Sequence, residues 1–167
     1  MSYLALGRMN PSDSITPQQR KLKIEKYCAY QERSHQQVRD KLYQLGAHQQ
    51  EVEETIVELI QSDFLNEQRF VEAYVRGKFR MKGWGRNKIR NGLMPHRVDK
   101  KMMIKAVDSL NEDEYLVKLK EIIKKKASRL NEKNQYRRKA AIHRHAAQKG
   151  YESHLIYEII NELDGKK

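Results

Sequence analysis

The feature that most limits how this chain can fold is an internal repeat of amphipathic helical patterns. Apolar residues at i, i+4 and i+7 spacing mark one helix face within residues 52–59, and another apolar face lies within residues 38–42. Both patterns return after 51 residues and again after a further 53, and five positions stay apolar in all three copies. These positions hold Val38, Ile89 and Ile142; Leu42, Leu93 and Ala146; Val52, Met103 and Ile156; Ile56, Val107 and Ile160; and Leu59, Leu110 and Leu163.

The repeat predicts an all-α fold made of three tandem three-helix modules. A period near 50 residues is typical of modules strung along an axis, in which each module mainly contacts its neighbours. Such an arrangement is elongated and can also curve. The predicted divisions are a loose arm at residues 1–15 and modules at 16–62, 63–110 and 111–167.

Capping residues predict where the first helices begin and end. Thr16 precedes a proline and stands three residues before Gln19, which is a capping-box spacing, and Ser34 has the same relation to Gln37. Gly46 follows an apolar helical pattern and is predicted to end the second helix.

Charge is unevenly distributed between the predicted modules. The chain has 34 lysines and arginines against 22 aspartates and glutamates, a net charge of +12. Residues 18–62 are neutral overall, whereas 64–111 carry +8 and 112–167 carry +5. A positive charge of this size favours a polyanion or an acidic protein surface as the partner. We expect the second and third modules to bind single- or double-stranded DNA.

Two dense groups of basic residues supply the candidate contact positions. The first crosses the turn near residue 84, where few local acids can neutralise it, and the second lies in the third module. Both groups are also compatible with ordinary solvated helix surface. The candidate contact residues are Arg76, Arg80, Lys82, Trp84, Arg86, Lys88, Arg90, Lys125, Arg129, Arg137, Arg138 and Arg144.

The segment Gly83-Trp84-Gly85 is interpreted as a tight turn between helices. It lacks the third glycine of a dinucleotide-binding fingerprint and follows no predicted strand. In this interpretation both glycines supply positive φ, and Trp84 anchors the module. A position of Trp84 in a partner interface is the alternative.

The sequence contains no pattern that indicates catalysis, a metal or a cofactor. The single cysteine, Cys28, lies in an apolar helical stripe where we expect burial and where a reactive thiolate is disfavoured. His143 and His145 are two residues apart and so face different sides of a predicted helix. We expect a non-enzymatic protein without metal or cofactor. Since no long apolar run or basic leader is present, we expect it in the cytoplasm and not in a membrane.

One segment of the chain resembles a known family. Residues 64–75 read FLNEQRFVEAYV and residues 82–90 read KGWGRNKIR, with Leu93 beyond. This order of Arg-Phe, an apolar helix, a Gly-x-Gly turn, a base and an Ile-x-x-x-Leu helix resembles the central module of RecX proteins. The weaker flanking patterns extend the resemblance over about residues 20 to 163. A departure follows Leu93, where Met94-Pro95-His96 stands in place of the family's glycine-containing stop.

The resemblance implies a monomeric protein that lies along the helical groove of a RecA filament on DNA. It further implies inhibition of strand exchange and of the filament's co-protease role in the SOS response. Two alternatives stay open from the residues themselves: a basic helical protein that binds DNA or RNA independently of RecA, and a helical scaffold for an acidic protein.

Overall fold

The computed structural model describes residues 15–165, and these residues form nine α-helices and no β-strand. The all-α prediction is therefore confirmed, while the arm expected at residues 1–15 lies outside the described residues apart from Ile15. The helices are α1 (Pro17–Tyr30), α2 (His35–Gln44), α3 (Gln49–Gln61), α4 (Glu67–Lys82), α5 (Arg86–Leu93), α6 (Lys100–Asp108), α7 (Glu112–Ser128), α8 (Gln135–Gln148) and α9 (Ser153–Asp164).

The helix ends follow the capping signals in the sequence. Thr16 and Ser34 each form a complete capping box, with Gln19 and Gln37 as their partners. Gly46 has φ +83° and follows α2, as its position predicted. The departure after Leu93 becomes a 3-10 turn, Met94–His96, that ends on Arg97 with φ +53°. The turn thus survives without glycine.

The described residues divide between Glu67 and Gln68 into two compact units. The first unit contains α1 to α3 around a small apolar core that includes Ile24, Leu42 and Ile56. Cys28 lies in this core and is 6% exposed, which confirms its predicted burial. Burial raises the pKa of the Cys28 thiol to about 11, so the thiolate is scarce near neutral pH.

The second unit contains α4 to α9, and its two predicted modules share one apolar core. Aromatic rings join the helices there. The rings of Phe79 and Tyr115 lie 5.8 Å apart, and those of Tyr115 and Tyr151 lie 4.9 Å apart. Because α4, α7 and the turn before α9 supply these rings, the two modules are packed as one body.

Burial of the repeated apolar positions agrees with the sequence pattern. The residues at the first four positions are buried in all three copies. At the fifth position Leu59 is buried, whereas Leu110 and Leu163 are partly buried against the larger core. The period of the repeat therefore reports the inward faces of α2, α3, α5, α6, α8 and α9.

Two turns of the second unit approach each other so closely that only glycine fits. The Gly85 N–H donates to the Lys149 carbonyl at 2.8 Å, and the Asn87 N–H donates to the Gly150 carbonyl at 3.0 Å. A Cβ atom on Gly85 would lie 2.4 Å from the carbonyl carbon of Gly150. Gly83 has φ +62°, as predicted, but Gly85 has φ −80°, so the prediction of positive φ at Gly85 is wrong. The close backbone contact explains why residue 85 is a glycine.

A largely buried polar network lies beside this glycine contact. The Arg86 N–H donates to the Tyr115 hydroxyl at 3.0 Å, and that hydroxyl donates to Glu152 at 2.6 Å. The Arg86 guanidinium lies 4.0 Å from the Tyr115 ring centre and pairs with Glu112 and Glu152. Burial lowers the pKa of Arg86, but the two carboxylates outweigh burial and raise it overall. Arg86 is therefore held as a cation between α5, α7 and the start of α9.

We expect Gly85→Ala to lower the free energy of unfolding by about 3 kcal/mol, because backbone atoms must separate to admit the methyl group. Gly77 provides the matched control. It lies inside α4 with no atom within 4 Å of an added Cβ, so Gly77→Ala should raise stability by about 1 kcal/mol. Urea denaturation followed by circular dichroism measures both. Equal effects of the two substitutions would contradict the close-contact explanation.

The two buried tyrosines should respond differently to loss of their hydroxyls. Tyr115→Phe removes hydrogen bonds to Arg86 and Glu152 and should destabilise the protein by about 2 kcal/mol. Within the described residues the buried Tyr151 hydroxyl has no hydrogen-bond partner, so Tyr151→Phe should be neutral or stabilise by about 1 kcal/mol. The same denaturation experiment tests the pair. A larger loss for Tyr151→Phe than for Tyr115→Phe would refute this assignment.

Candidate functional site

Several of the predicted contact residues are engaged within the fold. Arg86 belongs to the network with Glu112 and Glu152, and its side chain is only 12% exposed. Arg90 pairs with Asp108 at 3.0 Å, which links α5 to α6. These partners stand 18 to 66 residues away in sequence, so a count of neighbouring acids could not find them.

Two further predicted residues, Arg138 and Lys88, have contacts that hold local structure. Arg138 donates to the carbonyls of Leu130 and Ala127 at 3.0 and 2.6 Å, and so fixes the end of α7 against α8. Lys88 donates to the Gln148 carbonyl at 3.3 Å.

Trp84 is partly buried against the core, as the anchoring interpretation expects. The ammonium groups of Lys78 and Lys88 lie 4.8 and 4.9 Å from its ring centre. Trp84 therefore contacts the core and lies beside two cations. A role for Trp84 in contacting a partner remains a prediction.

Other predicted contact residues converge on one concave surface, which we call the basic groove. It has a volume of about 510 Å³ and lies between the end of α4, the outer face of α7 and the end of α8. Arg80, Lys82, Lys125 and Arg129 from the prediction lie here. The full lining consists of these four residues with Met81, Gly83, Lys118, Glu121, Ile122, Lys126, His145 and Lys149.

The groove is strongly cationic because, in the described part of the chain, its lining contains seven lysines and arginines and a single carboxylate, that of Glu121. Lys118 lies 3.4 Å from Glu121, and Arg80 lies 3.7 Å from Glu114 in an exposed pair. Within the described residues, no ion pair is formed by Lys82, Lys125 or Arg129. Exposed pairs of this kind are weak, so most of the positive charge remains available to an anion.

His145 lies in this groove and is half-buried. Burial is the main cause that lowers its pKa, and the neighbouring charges of Lys126 and Lys149 lower it further. The imidazole is therefore held neutral near pH 7 by its surroundings. An anion in the groove would oppose the effect of both lysines.

Arg76, Arg137 and Arg144 complete the predicted set and lie outside the groove. All three are exposed. Arg76 lines a neighbouring depression that also contains Glu72 and Glu114, while Arg137 and Arg144 lie on α8. The structure thus gathers four of the twelve predicted positions and separates the others.

The groove is also lined by residues that are not among the twelve predicted contact positions: Lys118, Lys126, Lys149 and His145. A sequence signal for part of this set exists, because Lys118, Lys125, Lys126 and Arg129 are spaced as one face of a helix. In the sequence, this face is masked by the contiguous run of basic residues near position 125. The position of α8 beside α7 had no such signal.

Within residues 15–165 no group of three or more histidine, cysteine or acidic side chains is placed to bind a metal ion. No helix in that range is long and apolar enough to cross a membrane.

Comparison with known families identifies three matches in chain order. The first three-helix domain of RecX matches residues 22–59, the second matches residues 66–106 and the third matches residues 112–160. Together these models account for most of the chain.

Individual relatives agree with the family models. The regulatory protein RecX of Oceanobacillus iheyensis is 25% identical over 138 residues, which is 83% of this chain and 51% of the relative. That of Clostridium perfringens is 27% identical over 138 residues, 78% of this chain and 62% of the relative. The matched region thus spans between half and two thirds of these relatives.

A solved structure shares the fold. The crystal structure of RecX from Lactobacillus salivarius superposes with a TM-score of 0.80 at 26% identity, and the match covers 89% of this chain and 96% of that one. Since three domain models of one family match in order and a RecX crystal structure shares the fold, the chain belongs to the RecX family of regulatory proteins.

Proposed function

We propose that this protein binds the RecA filament on DNA along its helical groove and inhibits the recombinase and SOS co-protease activities of RecA. The observation that carries the proposal is the ordered match of all three RecX domains over residues 22–160. The proposed mechanism is steric and electrostatic. Helical modules occupy the filament groove and obstruct incoming duplex or repressor, with no covalent step and no cofactor. The protein acts as a monomer in the cytoplasm.

The distribution of basic residues supports a partner that combines protein and nucleic acid. The basic groove presents cations on a concave surface, whereas Arg137 and Arg144 are exposed on α8 outside it. Within the described residues neither arginine has an ion pair. Arginine suits paired contact with carboxylates, so these two residues are the proposed contacts with an acidic filament surface.

The second candidate function is RecA-independent binding of DNA or RNA. The basic groove favours it, because phosphate contacts need no protein partner. Under this alternative, affinity for bare DNA equals affinity for the filament and falls steeply with salt.

The first test measures the ATPase rate of RecA on single-stranded DNA with increasing amounts of this protein, beside direct binding to the same DNA without RecA. We expect inhibition well below the concentrations that saturate bare DNA, because the filament offers protein contacts in addition to phosphates. If the rate falls only as free DNA is titrated away, the RecA-independent function is the better explanation.

The second test reverses charge at the proposed protein contacts. The double variant Arg137→Glu/Arg144→Glu should raise the concentration needed for half-inhibition about tenfold, or about 1.4 kcal/mol. The matched control is Lys100→Glu/Lys101→Glu, which changes the net charge equally at two exposed residues of α6. Equal weakening by both variants would exclude a specific α8 contact. Reversal of Arg86 is unsuitable, since it would also break the network with Glu112 and Glu152.

A further inference from the structure

We propose that the basic groove binds the phosphodiester backbone of single-stranded nucleic acid, and that protonation of His145 strengthens this binding. The inference deepens the proposed function and rests on it for the setting in the filament, because it assigns this groove to the DNA strand and not to RecA. The contact itself requires only the residues that line the groove.

The shape and chemistry of the groove fit a phosphate chain. Three separate helices direct cations into one concavity of about 510 Å³, so several successive phosphates can be neutralised together. Five of the seven basic side chains are lysines. A lysine ammonium acts as a point charge, so it tolerates a flexible nucleic-acid backbone. Among the described residues, no aromatic side chain apart from His145 lines the groove, so nucleobases have no stacking platform there. The expected contact is therefore to the backbone and insensitive to base sequence.

An acidic polypeptide is a poorer occupant on the same grounds. Arginine pairs with carboxylate and phosphate alike, so Arg80 and Arg129 do not discriminate between these two ligands. The discriminating feature is the small apolar part of the groove. Within residues 15–165, the apolar side chains of the groove lining are Met81 and Ile122, too few to hold the hydrophobic anchors that protein interfaces use.

His145 is placed to couple binding to a proton. The charged groups that share the groove with it are Arg80 and Lys82 of α4; Lys118, Glu121, Lys125 and Lys126 of α7, with Arg129 at its end; and Lys149 at the end of α8. The positive charges disfavour an imidazolium in the empty groove. Bound phosphates reverse that field and can accept a hydrogen bond from the protonated ring.

The sign of the pH dependence follows from this arrangement. The pKa of His145 is lowered in the free protein, mainly by burial, and rises when phosphates bind. Affinity therefore increases as the pH falls through the bound-state pKa, and the increase ends below the free-state pKa, where both states carry the proton. One proton changes the dissociation constant by about tenfold per pH unit at most.

The groove is tested by binding of an oligothymidine of about 16 nucleotides to the full chain, followed by fluorescence anisotropy. Lys126→Glu/Lys149→Glu should weaken binding about tenfold or more and lower the salt slope by about 2. Lys100→Glu/Lys101→Glu, with the same change in charge, should have a much smaller effect. An oligoglutamate should compete poorly. Equal losses in both variants, or effective competition by oligoglutamate, would overturn the assignment of the groove to a phosphate chain.

The proton is tested by the same titration between about pH 5 and 8, where thymine and phosphodiester groups do not titrate. The wild-type affinity should rise as the pH falls, and His145→Gln should flatten that dependence. His154→Gln, at an exposed histidine of α9, is the matched control and should retain it. If the His145 and His154 variants keep the same pH dependence, His145 is not the coupled group and this part of the proposal is wrong.

These experiments separate the inference from the proposed function. Loss of oligothymidine binding in the groove variant, with no effect of the wild-type protein on RecA, would support the groove and refute the filament function. If the wild-type protein inhibits RecA but the groove variant binds oligothymidine normally, the filament function is supported and the groove assignment is refuted.

Discussion

The contact between Gly85 and Gly150 is the constraint on which the larger unit depends. It brings the turn before α5 against the turn before α9, with backbone hydrogen bonds at 2.8 and 3.0 Å. No side chain larger than hydrogen fits at Gly85, so the close approach of the two turns requires glycine at this position. Once these turns meet, Arg86, Tyr115 and Glu152 lie within hydrogen-bond reach of one another. The shared core of the second and third modules is closed at this point.

The basic residues of this unit differ in whether they have partners within the fold. Some cations are used within the fold, as Arg86 is by two carboxylates and Arg138 by two carbonyls. Others have no strong internal partner. Several of these line the groove beside α7, whereas Arg137 and Arg144 are exposed outside it. A buried pair loses much of its value if one member is removed, because the remaining charge is left without compensation. A surface cation carries no such penalty, so it can remain available to bind a ligand.

Much of the fold was predictable because its determinants are local. Capping boxes at Thr16 and Ser34, and the apolar period shared by Val38, Ile89 and Ile142, depend on residues within a few turns of one another. The candidate site was only partly predictable. The helical spacing of α7 places Lys126 on the same face as Lys125, whereas Lys149 and His145 enter the groove through the packing of α8.

The sequence by itself determined the helices, their inward faces, the charge excess of the second and third modules, and the resemblance to RecX. Only the tertiary structure decided which cations are paired, since Arg86 and Glu152 are 66 residues apart and their attraction acts over a few ångströms. It likewise decided that Gly85 serves a backbone contact and not a positive φ. Local propensity is encoded in neighbouring residues, but a groove exists only where distant helices are brought side by side.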